Sequence, residues 1–562
     1  QEGSSMLGFL LTTCGLAPIT RPHPAVQLRL PLSMGERRYR ASNFRAQLEE
    51  DWRDVRARLV AREQREGADP TAESVDEASG FVYESPLIEQ GTIILGGTQQ
   101  AFGFALRQQY FHKSVMLLLQ HDESFTKGII LNRPSALEID GWRVWFGGDV
   151  AEGGTFRGGQ PEGGETSSQQ EITCLHSLQS EEATRLSLPI IRGVYQTSLE
   201  GAQELIGSGA AHKGDFWLFV GYAGWAPSQL QGEVERDSWY LAAADSAVLL
   251  HEMLRQGTEL PPPSAGELAA GDGLSTWEAL MLKIGKAEEV ERTRDCLEDR
   301  MLKQWVRTYL FPRPSPLPLD AARLLPESSV GLVLRAGSHT DRFTLTEQFM
   351  HKSLLVLLHE TAEVCIGLVL NRVTANAVQL NTPNRPTRRI SFGGEAKLRA
   401  LDADANGLLW LHRRADYGGT PLGDSGLLRM PSMQAAELIR DGSAQLADFL
   451  IVAGAVPWER SALLRMINEG DLEVVPRARS LWDGVFSLAD SSAEGDKEQL
   501  TDGTALWWAS TLLTPSQSQE SDSQPPYTVQ AAPSAKLADE ALTNWLKFFA
   551  GHEASSAAAS DD

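Results

Sequence analysis

The sequence predicts a fold of short strands with helices between them, made twice in one chain. Three observations carry this. Apolar runs bounded by Gly, Asn and Pro recur from Gly91 onward. Helical patterns lie between and after them. The same motifs then return in the same order behind a proline-rich break. His112-Lys113-Ser114 comes back as His351-Lys352-Ser353, 239 residues later.

Taken in order, residues 1–41 read as a targeting leader without fixed structure. "MLGFLLTTCGLA" is followed by a stretch with six Arg and one Glu. Residues 42–84 read as a helix capped at Ser42 or Asn43, with an apolar stripe of Phe44, Leu48, Trp52, Val55 and Leu59, and then an acidic connector. Residues 85–310 form repeat 1 with a helical extension. Its strands are "GTIILGG", "SVMLLLQ", "GIILN", "VWFGG", "EITCLHS", "IIRGVYQT" and "DFWLFVGYAGW", and "GGTFRGGQPEGGETSSQQ" is a loop. "STWEALMLKIGKAEEVERTRDCLEDRMLKQWVRTYL" reads as one or two helices. Residues 311–329 are a Pro-rich linker, because proline fixes φ and supplies no amide. Residues 330–482 form a divergent repeat 2, in which Asn371-Arg372 answers Asn132-Arg133, "ISFGGEA" answers "VWFGGDV", His412 answers His176, and Asp448 and Trp458 answer Asp215 and Trp225. Residues 483–562 read as an acidic low-complexity tail with one short helix carrying Leu537, Leu542, Trp545 and Phe549.

Bulk chemistry narrows the function classes. A formal charge of -23 argues against direct nucleic-acid binding, which rests on neutralising phosphates. The four cysteines lie no closer than 69 residues apart, so no zinc knuckle or dithiol motif exists, and the chain reads as reduced and intracellular. No apolar run is long enough for a transmembrane span.

The motifs carry a family resemblance. Phe111, His112, Ser114, an apolar strand, His121-Asp122, Gly128, Asn132-Arg133-Pro134, Phe146-Gly147-Gly148, His176 and Gly221-Tyr222-Ala223-Gly224-Trp225 resemble the AlgH/YqgE-like family of uncharacterised proteins. Repeat 2 resembles it less closely: Val373 stands for the proline and Gly454-Ala455-Val456 for Gly-Tyr-Ala. The resemblance implies an α+β fold: two tandem copies of a mixed-sheet domain, its bifurcated, partly barrel-like sheet wrapped by helices. Plant and algal plastid members carry a helix like "DWRDVRARLVARE" before the domain, which together with the leader implies a chloroplast. No established activity comes with the family, although relatives have been called transcriptional regulators.

Each candidate site has a chemical and a structural reading. Adjacent strand residues point to opposite faces, so a strand would put His112 and Ser114 on one side and Lys113 on the other. That pair could make a nucleophile, but no G-x-S-x-G elbow surrounds it, and strand-start chemistry is favoured. Asn132-Arg133-Pro134 suits a turn, while Arg133 could grip a carboxylate or phosphate. Gly147-Gly148 is weak evidence for a phosphate loop. His121-Asp122 suits a hydrogen-bonded pair better than a metal site, and no metal or cofactor is expected. Tyr222 and Trp225 suit core or pocket lining.

The favoured function is therefore a non-catalytic scaffold, assembly or regulatory protein of a plastid, soluble or peripheral, with other proteins or a larger plastid complex as partners. The alternatives are a ligand-binding protein or enzyme with a repeat 1 pocket formed by Arg133, Gly147, Gly148, His176, Tyr222 and Trp225, and a transcription-related regulator. Because repeat 2 lacks the tyrosine and gains Pro457, any such site is expected in repeat 1, with Arg372→Ala nearly silent.

Overall fold

Aliphatic runs make the strands here, and glycine, asparagine or proline ends them, so each strand is short. The computed structural model describes residues 52–67, 80–98, 108–148, 172–259, 272–311, 329–337, 342–380, 385–397, 404, 407–490, 503–513 and 533–558. The leader, Ser42, Asn43, Phe44, Leu48, the glycine-rich insertion and most of the linker lie outside what is described, as does the side chain of Phe549. The chain divides into two compact units, Pro24–Pro316 and Leu317–Asp562, the second counted with Gln1–His23.

The first unit holds β1 (Val82–Glu84), β2 (Ile93–Gly96), β3 (Val115–His121), β4 (Thr126–Ile130), β5 (Pro134–Ile139), β6 (Trp142–Phe146), β7 (Ile172–His176), β8 (Leu188–Ile191), β9 (Val194–Ser198), β10 (Phe216–Val220), β11 (Ala223–Trp225) and β12 (Trp239–Ala244). One sheet runs β1-β12-β2-β3-β4-β11 and a second runs β5-β6-β10-β7-β9-β8. The first is antiparallel, and in the second β6 and β10 are parallel. The chain passes between the sheets twice, from β4 to β5 and from β10 to β11. Both crossings meet the end of β6: Phe146 N donates to Arg133 O at 2.9 Å, and Gly147 N donates to Val220 O at 2.8 Å. Pro134 does not stop a ladder but opens β5, the strand position where a missing amide costs least.

Strand alternation builds the layers. Trp145, Leu175 and Phe219 face the first sheet's Ile93, Leu117 and Ile129 and the Trp277 and Met281 of the Leu274–Lys283 helix. Val144, Cys174 and Leu218 face the other way, onto Ala202 and Leu205 of the Leu199–Gly207 helix. Each such side chain contributes about 1.5–3 kcal/mol by leaving water. The Trp52–Gly67 helix packs through Ala57 and Val60 on Tyr83 and Ala243. The stripe expected to face the core is instead exposed at Trp52 (68% exposed) and Leu59 (55%), because the face that packs is the adjacent one carrying Ala57 and Val60, with Arg56 at its edge reaching Tyr83 and Glu89.

The second unit holds β13 (Val333–Ala336), β14 (Leu354–Glu360), β15 (Val364–Val369), β16 (Val373–Gln379), β17 (Thr387–Phe392), β18 (Leu408–His412), β19 (Thr420–Pro421), β20 (Leu428–Met430), β21 (Leu450–Ala453), β22 (Val456–Glu459) and β23 (Leu472–Val474). Its sheets run β22-β15-β14-β13-β23 and β16-β17-β21-β18-β20-β19. Helices Trp482–Leu488, Thr504–Thr511 and Pro533–Ala558 follow, and they supply core. Val485, Phe486, Trp507, Leu542 and Trp545 are buried, so the residues read as a tail complete this unit.

Among the described residues, the sheet expected to be partly barrel-like does not close into a barrel. Among the described residues all four sheets are open, because no hydrogen bonds join the edge strands of any one sheet into a ring.

Candidate functional site

His112-Lys113-Ser114 is a turn, not a strand. Lys113 has φ +48°, and β3 begins only at Val115. The premise that His112 and Ser114 share a strand face therefore fails. A 3-10 turn, Gln109–Phe111, delivers the triplet. All three residues are buried.

Two clamps hold this turn. Asn132 is the first: its Oδ1 accepts from Val115 N at 2.8 Å, and its Nδ2 donates to Lys113 O at 3.0 Å and to Gly273 O at 2.8 Å. Arg133 is the second. Its Nε donates to Tyr110 O, one terminal nitrogen to Asn132 O and Asp272 O, and the other to His112 O. Burial pushes its guanidinium down to about 9, so it remains charged at neutral pH. Of the two readings of Arg133, this geometry fits the structural one: the side chain is fully buried and donates to backbone carbonyls.

The turn in turn holds a helix of the extension. His112 Nε2 lies 2.7 Å from Asp299 Oδ1, on the Leu297–Trp305 helix. Lys113 Nζ lies 2.8 Å from Asp299 Oδ1 and donates to Thr293 O at 2.8 Å, with the Trp277 ring 5.1 Å away. Burial holds the His112 imidazole below its ordinary value. Asp299 is held below its own because hydrogen bonds from His112 and Lys113 outweigh its desolvation. Trp277 Nε1 donates to Gly96 O at 3.0 Å.

The second unit repeats this construction. Lys352 has φ +52°, and His351 Nε2 lies 2.9 Å and Lys352 Nζ 2.5 Å from Asp539 Oδ1, on the Pro533–Ala558 helix. Asn371 bonds Leu354 N, Lys352 O and Gly503 O, and Arg372 bonds Phe349 O, Asn371 O and His351 O. Trp507 Nε1 donates to Ala336 O at 2.7 Å. Arg372, whose replacement was expected to be nearly silent, is 1% exposed and clamps as Arg133 does.

The remaining predicted residues also serve the framework. Gly147 and Gly148 pass against the β10–β11 crossing. A Cβ at Gly148 would fall 2.1 Å from the Tyr222 carbonyl carbon, so the space a phosphate needs is filled by backbone. His176 Nε2 bonds Ser187 Oγ at 2.7 Å, and its ring stacks on Tyr195. In register His176 faces Phe216, at the opposite end of β10 from Tyr222, roughly 15 Å along the strand. Of the expected pocket residues, Gly147 and Gly148 are thus brought against the Gly221-Tyr222 backbone, while His176 lies away from them. Tyr222 is half-buried beneath Lys127, and Trp225 donates from Nε1 to Glu233 at 2.9 Å. His121 bonds Thr126 rather than Asp122, whose carboxylate caps the β3–β4 turn and is held down at about 2 by hydrogen bonds from Ser124, Gln120 and Phe125.

Sequence reading missed three participants: Asp299, Asp539 and Cys296. His112 Nε2, Cys296 Sγ and an Asp299 oxygen lie within 4.8 Å of one another, a set that suits a metal ion. The Lys113 ammonium already occupies the same carboxylate, and burial pushes the Cys296 thiol up to about 12. Nor is this a nucleophilic triad. Asp299 and the thiol, 3.8 Å away, share Nε2, whereas a relay needs the carboxylate on Nδ1.

Among the described residues, no helix is long and apolar enough to cross a membrane. Comparison with known proteins agrees with the sequence motifs. A family model described as AlgH-like matches residues 103–258. A UPF0301 protein of Streptomyces avermitilis is 30% identical over 148 residues, covering 25% of this chain and 71% of that protein. One from Streptomyces coelicolor is 31% identical with the same coverage. The solution structure of the AlgH protein from Pseudomonas aeruginosa is 18% identical, covering 33% of this chain and 99% of that one, with a TM-score of 0.22. On the strength of the Streptomyces relatives and the AlgH-like match, the chain belongs to the AlgH-like family of UPF0301 proteins.

Proposed function

We propose that this is a non-catalytic scaffold or assembly protein acting through protein contacts. One observation carries the reading. His112 (through Nε2), Lys113, Asn132 and Arg133 are buried and bonded to internal partners, and Ser114 is buried beside them. A binding pocket in repeat 1 loses its main support for the same reason. The test is native purification of the tagged chain from its source cells at endogenous level. The reading expects a stoichiometric complex that persists through gel filtration. A turnover activity lost in Ser114→Ala at unchanged fold would overturn it.

We also propose that the chain is a tandem duplication. The support is one strand order in each unit: β12-β2-β3-β4-β11 corresponds to β23-β13-β14-β15-β22, and β5-β6-β10-β7-β9-β8 to β16-β17-β21-β18-β20-β19. Plastid location is proposed from the leader composition and the Trp52–Gly67 helix. A fluorescent fusion of residues 6–80 that stays cytosolic in an algal cell counts against it.

A further inference from the structure

The two helices held by the His-Lys turns carry one pattern. Leu297-Glu298-Asp299-Arg300-Met301-Leu302-Lys303-Gln304-Trp305 and Leu537-Ala538-Asp539-Glu540-Ala541-Leu542-Thr543-Asn544-Trp545 both read L-x-D-x-x-L-x-x-W. Three of its four lettered positions have a job. The aspartate takes the His-Lys pair. Leu302 and Leu542 are buried. Trp305 packs 5.4 Å from Tyr110 and 5.1 Å from Phe146, while Trp545 packs 5.7 Å from Phe349 and 5.0 Å from Phe392 (ring centroids). Aspartate, leucine and tryptophan fall at i, i+3 and i+6, one side of a helix. The spacing is thus a recognition rule for a helix lying in a groove, with an ionic anchor at one end and an aromatic anchor at the other.

The two occupants are not equally fixed. Asp299 is 3% exposed and Lys113 1%, and the Ala287–Arg292 helix ends five residues before Leu297. Asp539 is 43% exposed and Lys352 16%. Residues 514–532 separate the Pro533–Ala558 helix from Leu513, and a segment of that length spans at most roughly 60 Å. That is enough to reach a groove on a neighbouring molecule.

We propose that the second unit's groove is an exchangeable helix-binding site, and that its alternative occupant is the Pro533–Ala558 helix of a second copy of this chain. The partner chemistry is an amphipathic helix bearing L-x-D-x-x-L-x-x-W. The proposal goes beyond the scaffold reading and does not require it.

The test has two arms. In the first, the full chain carries a protease site inserted after Glu520 and is cut once folded. A fluorescein-labelled peptide of residues 533–551 is then added, and anisotropy is followed. The labelled peptide should displace the cut helix. Trp545→Ala or Asp539→Ala in the peptide should weaken binding by about tenfold or more, as loss of an anchor does. A peptide of residues 294–309 should compete. A cut helix that never exchanges, or a Trp545→Ala peptide that binds as well as the parent, overturns the groove. Because these variants lie in the peptide, misfolding of the chain cannot mimic the result. In the second arm, the uncut chain is followed by analytical ultracentrifugation over a wide concentration range. A dimer that is lost in Asp539→Ala is expected. A monomer at every concentration overturns the second copy as occupant.

Discussion

Replacing Arg133 or Arg372 by alanine should destabilise the two units to the same degree. Each guanidinium is buried and donates to carbonyls of the 3-10 turn, the His-Lys turn and its own neighbour in sequence. Alanine leaves those carbonyls unpaired and opens a cavity the size of the lost side chain. Returning a charged group to water offsets part of this. Removing one member of a buried charged cluster typically costs about 3–5 kcal/mol, and we expect that range at both positions. A lysine keeps the charge but lacks the planar fork, so it should rescue poorly. Two units need not unfold in one step, so the assay should read each separately. Hydrogen exchange does so. Peptides covering 109–118 and 272–283 report on Arg133→Ala, and those covering 348–357 and 503–511 report on Arg372→Ala. Exchange should accelerate by roughly 10²–10³-fold in the matching unit, since about 1.4 kcal/mol is a factor of ten. A large effect at Arg133 with almost none at Arg372 would refute the equivalence of the clamps.

Four further outcomes are expected. Gly273→Ala and Gly503→Ala should each cost several kcal/mol, about 3 or more, because φ is +71° and +67° and the new Cβ would meet Asn132 O and Asn371 O at 1.9 Å; urea midpoints check this. Asp539→Asn should lose its effect at high salt while Asp299→Asn does not, because only the first aspartate is open to screening; midpoints at low and high ionic strength decide. Burial lowers His176 from 6.5 to about 4, so the unfolded chain takes the proton first as pH falls. Stability from this group should be full above its unfolded value and drain away toward about pH 4, and His176→Gln should flatten that slope in midpoint-against-pH curves. Prolonged EDTA treatment should leave the melting temperature unchanged. A fall would mean that the His112, Cys296 and Asp299 cluster holds a metal after all.

Much of the fold was legible because strand interiors announce themselves. The runs "SVMLLLQ" and "DFWLFV" are β3 and β10, and the motif order carries over from one unit to the next. The site was harder to read. His112 and its partner Asp299 are 187 residues apart, and no local pattern links them. Lys113 sits in the left-handed region, where alternation arguments cannot apply. Arg133 carries the same letters whether it grips a ligand or a carbonyl, and only burial separates the two. The L-x-D-x-x-L-x-x-W repeat is present in the sequence at 297–305 and 537–545. It was obscured because its second copy stands among acidic, Ser-rich and Gln-rich residues that read as a tail. The Trp52–Leu59 stripe misled for the opposite reason: its amphipathic spacing is real, but the helix packs through the adjacent face of Ala57 and Val60, with Arg56 bonded at its edge.

The central claim is that the family's His-Lys and Asn-Arg residues are clamps inside the fold. A double-mutant cycle on Lys113→Met and Asp299→Leu tests it most directly, with stability and complementation of a null strain measured together. The account predicts that each single variant loses about 3–5 kcal/mol, that the pair couples by about 2 kcal/mol or more, and that complementation follows stability. A double variant with the parent's stability but no biological function would contradict it.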